Sequence, residues 1–399
     1  MDSWSETKVK GVKLMKDKNI ETYTSPIGMT QQFRFCGNPF RIDMYKGCDF
    51  GCKYCFANSS QAKGHNDGFA IAKIKSLESV FKKAFETDEE SKDVTIELLR
   101  HRVPLHCGGM SDPFQKREFE YKLTYKLIEL SNKYNYPICF STKQCDLPDE
   151  YFKILNPEIH AFQVSIMGWD DSFIKKYETN TPTAKQRLDF VKKLRDKGFW
   201  CAIRIQPLVD LDQAKKLVYE AGRYPNYIII EHLKIPNDNN DVKKLFLKDY
   251  NKSFYKSPMN MRNIEIQPDI KEKNINIIKE IANKNGVIIG VGDNDLHHLS
   301  QSRCCCGIDT INSNFDNYLK YNLTYFITGE CENPNELWKP QCNCKQCFFS
   351  SAVKSEEDRF VDYKKITDKY INDHDWLVHK SDRAEILKKL FNVSTNRLF

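Results

Sequence analysis

Three cysteines near the beginning of the chain have the spacing of a metal-binding loop. Cys48, Cys52 and Cys55 form a CxxxCxxC pattern, with a glycine directly before each of the first two cysteines. An iron–sulfur cluster that is held by only three thiolates keeps one iron open for a further ligand. A structural zinc site, in contrast, takes four ligands. The pattern therefore favours a redox-active iron–sulfur cluster, and the alternatives are a zinc knuckle completed by His65 or three buried thiols.

The bulk composition is typical of a folded protein that stays inside the cell. The 399 residues are 40% hydrophobic and 29% charged, with a polar N-terminus and no uninterrupted apolar stretch of about 18 or more residues. We therefore expect a cytoplasmic protein without a membrane partner. Fifteen cysteines in such a chain indicate metal ligands or reactive thiols rather than disulfides. The net charge of +7 leaves room for a nucleic-acid partner without requiring one.

Apolar runs alternate with amphipathic segments over most of the chain, which predicts strands and helices in alternation. Apolar residues at helical spacing, such as Leu188, Val191 and Leu194, predict the connecting helices. This order indicates an α/β fold whose parallel sheet curves into an incomplete barrel, with functional groups at the carboxyl ends of the strands. The predicted strands are Phe40–Tyr45, Val103–Gly109, Pro137–Lys143, His160–Gly168, Trp200–Val209, Tyr227–Lys234 and Val287–Val291.

The predicted organisation has four parts. An N-terminal arm covers residues 1–35, and the barrel covers residues 36–234. Residues 235–300 complete the barrel and contain a polar insertion, while residues 301–399 form a cysteine-rich extension. The insertion is rich in lysines and aromatics. It is interpreted either as a surface that stacks bases and neutralises phosphates, or as an ordinary amphipathic helix with a loop.

The first cysteine loop resembles that of the radical S-adenosylmethionine (SAM) enzymes. Their signature CxxxCxφC, with an aromatic residue at φ, is matched by Cys48, Cys52, Tyr54 and Cys55. The resemblance implies a 4Fe-4S cluster that binds SAM and cleaves it reductively to a 5'-deoxyadenosyl radical. It also implies a partial (β/α)6 barrel and an external low-potential electron donor of the flavodoxin or ferredoxin type.

Further stretches resemble the spore photoproduct lyase-like, "DNA repair photolyase" branch of that family. They are Asn38–Arg41, Tyr45–Cys48, the DP(F/Y)Q run Asp112–Gln115 and the strand end Ser141–Lys143. The order of Asp112 and proline also predicts the start of a helix. The resemblance extends over about residues 36 to 234 and implies a nucleic acid or nucleotide substrate. The alternatives are a peptide or small metabolite, or a non-catalytic zinc protein that binds nucleic acid.

The resemblance also assigns cofactor contacts by position on the strands. Gly108 and Gly109 are expected at the SAM amino group, with Tyr54 placing its ring against the site. Ser141, Lys143, Ser165 and Arg204 are expected at the SAM carboxylate or ribose, because hydroxyls and cations complement an anion. Glu231 is expected to bind a ribose hydroxyl or a cation. Three thiols are candidates for a catalytic hydrogen donor near the barrel mouth: Cys107, Cys139 and Cys145.

A second group of cysteines lies between Cys304 and Cys347, where seven of the fifteen fall. Cys342, Cys344 and Cys347 can surround one metal centre. Cys331, or one of the three consecutive cysteines at positions 304–306, would complete the ligand set. This pattern predicts either a structural zinc ion or an auxiliary 4Fe-4S cluster, because thiolate spacing does not separate the two. Reduced thiols in a core are the alternative.

Overall fold

The structure is a computed structural model, and its described residues include most of the predicted barrel. The predicted ligands Cys331, Cys342, Cys344 and Cys347 lie outside the described residues, as does His65. The described residues are 20–29, 38, 40–58, 68–88, 91, 93–237, 239–250, 254–256, 263–293, 296, 299–302 and 305–315.

The strands follow the apolar runs of the sequence closely, and each predicted strand contains an observed one. The residue ranges are β1 (Glu21–Tyr23), β2 (Ile27–Met29), β3 (Phe40–Ile42), β4 (Tyr45–Lys46), β5 (Ala70–Ala72), β6 (Leu105–Cys107), β7 (Ile138–Thr142), β8 (His160–Ser165), β9 (Cys201–Leu208), β10 (Tyr227–His232), β11 (Ile235–Pro236), β12 (Phe254–Lys256), β13 (Asn263–Ile266) and β14 (Ile288–Val291).

The helices are amphipathic and cover one face of the main sheet. Leu188, Val191 and Leu194, which were predicted to share a helix face, are all buried on α7. The helix ranges are α1 (Ile74–Phe85), α2 (Val94–Arg100), α3 (Glu118–Tyr121), α4 (Leu123–Tyr134), α5 (Asp149–Ile154), α6 (Asp171–Tyr177), α7 (Ala184–Asp196), α8 (Leu211–Ala221), α9 (Asn240–Tyr250) and α10 (Pro268–Lys284).

An eight-stranded sheet forms the body of the fold, in the order β14-β10-β9-β8-β7-β6-β3-β2. All neighbouring strands from β3 to β14 are parallel, and only β2 pairs antiparallel to its neighbour. Parallel neighbours require crossover connections, and the helices supply them. The prediction of an α/β fold with a parallel sheet is therefore confirmed.

Side chains alternate between the two faces of this sheet, as the pleat of a strand requires. On β9, Cys201, Ile203 and Ile205 lie in the main hydrophobic core together with residues of the helices. Arg204 and Gln206 instead make polar contacts across the opposite face. The helix-covered face is therefore apolar, and the inner face carries the polar groups of the barrel.

The segment 305–315 packs against the amino ends of the strands. Ile308 and Phe315 share a small apolar cluster with Cys139 and Tyr227, separate from the main core. Gly290 on β14 allows this approach, because an added Cβ would lie 2.3 Å from the carbonyl oxygen of Cys305. The floor of the barrel is therefore closed by residues that are distant from it in the sequence.

The predicted polar insertion folds around a second, antiparallel sheet of the order β11-β13-β12. Helix α9 precedes β12, and its Phe246 is buried, with its ring stacked on that of Tyr177 at a centroid distance of 5.0 Å. This aromatic side chain is part of the core and does not offer a free face to a base. The interpretation of the segment as an amphipathic helix is the better one at this position.

Candidate functional site

The cysteine loop begins directly after β4 and is held by the turn that follows β6. Gln115 is fully buried, and its side-chain amide brackets Cys48. Its Oε1 accepts a hydrogen bond from Asp49 N at 3.0 Å, and its Nε2 donates to Gly47 O at 3.1 Å. The DP(F/Y)Q motif thus fixes the backbone on both sides of the first cysteine.

The other side of the loop is tied to helix α6 and the turn after it. Lys53 N donates to Tyr177 O at 2.9 Å, and Asn180 Nδ2 donates to Asp49 O at 3.1 Å. Gly51 has a φ of +59°, a conformation that residues with a Cβ rarely adopt. The loop is therefore clamped between two elements that are far from it in the sequence.

The three thiols differ in exposure but share a shift of pKa in the same direction. Cys52 is buried and Cys55 is partly buried. The residue Cys48 as a whole is exposed, although its thiol group is desolvated. Desolvation is the main cause that raises the pKa of Cys48 to about 11 and that of Cys52 to about 12, and it also raises the pKa of Cys55. The metal-free thiols are protonated at neutral pH, so metal binding must displace these protons.

Two aspartates order the turn between β6 and Gln115. Asp43, just after β3, accepts hydrogen bonds from Met110 N at 2.9 Å and Ser111 N at 3.4 Å. Asp112 accepts from Phe114 N at 3.0 Å and from Lys143 N at 2.6 Å. The predicted helix start at Asp112 is wrong, because α3 begins only at Glu118 and the Asp112 carboxylate instead joins the turn to the end of β7.

The predicted glycines of this turn have different surroundings. Gly108 has a φ of +101°, and an added Cβ would lie 2.3 Å from Ser141 O. Gly109 has only ordinary contacts, with Arg41 at 3.7 Å and Asp43 at 3.8 Å. Backbone packing alone therefore requires glycine at position 108, whereas position 109 has room for a side chain. The expected contact of both with SAM stays a prediction.

A buried group of charges lies beside the cysteine loop. Glu178, at the end of α6, is almost fully buried and accepts hydrogen bonds from Tyr54 OH and from Arg187 Nη1, the latter at 2.9 Å. Lys143 Nζ lies 3.9 Å from Glu178 Oε1 and 5.8 Å from the centroid of the Tyr54 ring. Two cations and one carboxylate therefore surround the aromatic residue of the cysteine motif. We call Tyr54, Lys143, Glu178 and Arg187 the Glu178 network.

The charge states in the Glu178 network follow from mutual contact. Burial alone would raise the pKa of Glu178, but the Arg187 and Lys143 cations together with the Tyr54 hydrogen bond lower it. Burial would lower the pKa of Lys143, but the thiolate form of Cys52 and the Glu178 carboxylate raise it. Lys143 therefore remains an ammonium ion beside the thiols. Among the described residues, Arg187 Nε and Nη2 have no hydrogen-bond partner.

The inner face of the sheet carries a polar band that we define as His106, Ser141, Gln163, Arg204, Gln206 and Glu231. Arg204 Nη1 donates to Ser141 Oγ at 2.7 Å and to Gln163 Oε1 at 3.1 Å. Its other end donates to Gln206, which in turn donates to Glu231. Burial and the nearby Arg204 cation lower the pKa of His106 to about 4, so this imidazole is neutral at neutral pH.

The structure brings together only some of the predicted cofactor contacts. Tyr54 and Lys143 lie in the Glu178 network next to the cysteines. Ser141, Arg204 and Glu231 belong to the polar band, which spans strands β6 to β10. Ser165 ends β8, and its carbonyl oxygen accepts a hydrogen bond from Arg187 Nη1 at 2.7 Å. Their contacts with SAM stay predictions.

The three candidate thiol donors are not brought together at the mouth of the barrel. Cys107 is fully buried in the main core, on the helix-covered face of the sheet. Cys139 lies next to Ile308 in the cluster at the barrel floor, so its expected place near the mouth is wrong. Cys145 follows β7 and is partly buried against the main core.

Sequence reasoning missed Gln115 as the clamp of the loop, and it missed Glu178 and Arg187 altogether. A signal for Arg187 was present, since it precedes Leu188 on the apolar stripe of α7 and is fully buried. A charged residue on such a stripe must have a buried partner. Glu178 had no comparable signal, because it lies in a polar turn after α6.

The donors fit an iron–sulfur cluster and an anionic cofactor group. Three thiols stand in one clamped loop, and a buried ammonium group lies beside them. Among the described residues, no set of three His, Cys, Asp or Glu side chains is placed to hold a single metal ion. A cubane cluster has no such requirement, because each thiolate binds a different iron.

Residues 42–207 match the family model described as the Radical SAM superfamily. This segment contains the cysteine loop, the Glu178 network and nearly all of the polar band. The resemblance to this superfamily that was predicted from the cysteine loop is therefore confirmed over residues 42–207, and the largely parallel sheet of this segment agrees with the predicted partial barrel. None of the helices in the described part of the chain has the length and apolar character of a membrane span.

Curated relatives and solved structures give more distant likenesses. An uncharacterized protein of Mycobacterium tuberculosis is 25% identical over 43% of this chain and 50% of its own length. An uncharacterized protein of Methanocaldococcus jannaschii is 24% identical over 55% of this chain and 79% of its own. The chain thus spans about half the length of the mycobacterial relative.

Two solved structures have TM-scores below 0.5. A spore photoproduct lyase variant with bound AdoMet and dinucleoside spore photoproduct has a TM-score of 0.47 and 15% identity, covering 65% of this chain and 78% of that chain. Streptococcus suis SuiB bound to precursor peptide SuiA has a TM-score of 0.40 and 13% identity, covering 64% and 48%.

Proposed function

We propose that Cys48, Cys52 and Cys55 hold a 4Fe-4S cluster at which SAM is reductively cleaved. Bound there, the cluster would supply an electron to SAM, yielding methionine and a 5'-deoxyadenosyl radical that abstracts hydrogen from the substrate. The observation that carries the proposal is the clamped loop: Gln115 fixes the backbone on both sides of Cys48, and the partly buried Lys143 lies close enough to lower the pKa of Cys52. An external low-potential donor of the flavodoxin or ferredoxin type would supply the electron.

The residues of the chain bind and orient the cofactor in this proposal. Lys143 is the cation for the SAM carboxylate, because its ammonium is buried and lies 3.9 Å from Glu178, beyond hydrogen-bond length. The turn at Gly109 has room for a backbone approach to the amino group. Ser141, Arg204 and Glu231 line the inner face on which the ribose or the substrate would lie.

The experiment is anaerobic reconstitution with iron and sulfide, followed by reduction in the presence of SAM. The wild-type chain should bind four irons per chain at the cysteine loop and form 5'-deoxyadenosine. Cys52→Ala should lose both, whereas Cys201→Ala, a buried cysteine on the helix-covered face, should retain both. A wild-type chain that takes up no iron, or that forms no 5'-deoxyadenosine, would refute the proposal.

For the substrate, we propose a nucleotide or nucleic acid, supported by the net charge of +7 and by the Arg204 guanidinium on the inner face. The measurement is binding to DNA, RNA and peptides at increasing salt concentration. Binding to phosphate-bearing ligands should weaken steeply with salt. Affinity for peptides alone would instead point to a peptide substrate.

A further inference from the structure

The Glu178 network brings together side chains from four separate segments of the chain. Tyr54 comes from the cysteine loop, Lys143 from the end of β7, Glu178 from the end of α6 and Arg187 from the first turns of α7. Such a junction is more than a surface ion pair, since the side chains of Glu178 and Arg187 are both fully buried. Tyr54 lies two residues after Cys52 in the loop, so the network lies beside the predicted ligands.

The two carboxylate oxygens of Glu178 have different partners. The Tyr54 hydroxyl donates to Oε1, which restrains the ring of the residue that directly precedes Cys55 in the loop. Oε1 is also the atom that lies 3.9 Å from Lys143 Nζ. Oε2 is occupied by Arg187 Nη1, at 2.9 Å, and by Thr181 Oγ1, at 3.1 Å. One oxygen therefore serves the site, while the other holds the carboxylate in place.

We propose that Glu178, clamped by Arg187, is a positioning residue that holds Tyr54 and Lys143 in place for the cofactors at Cys48, Cys52 and Cys55. This inference rests on the proposed function. Outer partners of metal ligands set the orientation and electrostatics of a site, and their loss usually costs about 10-fold or more in affinity or activity. Removing a buried negative charge also makes the addition of an electron nearby more favourable.

A second buried glutamate provides a matched control. Glu118 is fully buried and also accepts a hydrogen bond from a tyrosine, Tyr151, at 2.7 Å. Its other contacts are Tyr45 OH and the backbone N–H groups of Thr124 and Tyr125, so no cation takes part. A substitution there disturbs a buried carboxylate without touching the Glu178 network.

The test compares Glu178→Gln with Glu118→Gln in the reconstituted enzyme, by equilibrium SAM binding and by the reduction potential of the cluster. Glu178→Gln should weaken SAM binding about 10-fold or more and shift the potential to a more positive value. Glu118→Gln should change neither, although it lowers stability. Equal effects of the two substitutions on both readouts, or no effect of Glu178→Gln, would overturn the inference.

A milder pair keeps the test decisive if Glu178→Gln does not fold. Tyr54→Phe retains the ring and removes only the hydroxyl bonded to Glu178, and Tyr151→Phe does the same at Glu118. Tyr54→Phe should weaken SAM binding roughly threefold or more, in line with the loss of one hydrogen bond, and Tyr151→Phe should not. If Tyr54→Phe binds SAM as tightly as Tyr151→Phe, the inference is wrong.

Different results would refute the proposed function and the role of Glu178. A wild-type chain that acquires no iron or does not bind SAM refutes the proposed function. A wild-type chain that does both, with Glu178 and Glu118 variants that cannot be distinguished by affinity or potential, refutes only the role of Glu178.

Discussion

The two buried glutamates show how surroundings decide what a carboxylate does. Glu118 and Glu178 are both almost completely removed from solvent, and each accepts a tyrosine hydroxyl. Around Glu118 the donors are neutral, and burial raises its pKa despite four hydrogen bonds. Around Glu178 the Arg187 and Lys143 cations outweigh burial and lower the pKa. The same residue type therefore has a raised pKa among neutral donors in one place and a lowered pKa among cations in the other.

The two glutamates also differ in which parts of the molecule they connect. Glu118 links β4 to the helices α3, α4 and α5, so it stabilises the wall of the barrel. Glu178 links the cysteine loop to the strand ends. A nearby cation favours the thiolate form of a cysteine, so the position of this charged junction beside the cysteine loop is consistent with the proposed binding of a metal cluster there.

The largest effect expected to sharpen this contrast is a loss of stability in the Glu178→Gln variant. The substitution leaves Arg187 and Lys143 buried without their carboxylate, which we expect to cost about 3–5 kcal/mol. The measurement is urea unfolding under anaerobic conditions, with wild type as reference. A loss below about 1 kcal/mol would contradict the ionic character of the junction.

A smaller loss, about 1–3 kcal/mol, is expected for Glu118→Gln. Each carboxylate oxygen accepts one backbone N–H, from Tyr125 at 2.8 Å and Thr124 at 2.9 Å. A glutamine amide turned either way sets its NH2 group against one of these donors. The same unfolding experiment applies. A cost as large as that of Glu178→Gln would remove the distinction between the two sites.

The smallest expected effect is on how the stability losses of Glu178→Gln and Glu118→Gln, each relative to wild type, depend on pH. The range to measure is about pH 8 to about pH 5, which lies above the ordinary glutamate pKa of about 4.3. The lowered pKa of Glu178 gives stability that is lost only as pH falls below this range, so its difference should stay constant. The raised pKa of Glu118 means that the folded state keeps this proton to a higher pH than the unfolded state does, so the stability that the proton adds is lost as pH rises. Its difference from glutamine should therefore grow as pH falls towards 5, and a flat profile would contradict the raised pKa.

The local pattern of the sequence was enough for the cysteine loop and the strands. The spacing of Cys48, Cys52 and Cys55 is a property of one short segment, and the apolar runs fix strands because side chains alternate in a pleat. The order of strands and helices then restricts the topology to a parallel sheet. These features need no knowledge of which distant residues meet.

Only the tertiary structure decided which charged groups meet and which face each cysteine takes. Glu178, Arg187 and Lys143 come from separate elements, and no local pattern states that α6, α7 and β7 end at one point. Cys107 and Cys139 are two residues on neighbouring strands that lie on opposite faces of the sheet, since strand register sets the face. The sequence by itself determined the cysteine loop and the class of fold, whereas the surroundings of that loop depend on long-range packing. Burial and charge pairing arise only when distant segments come into contact.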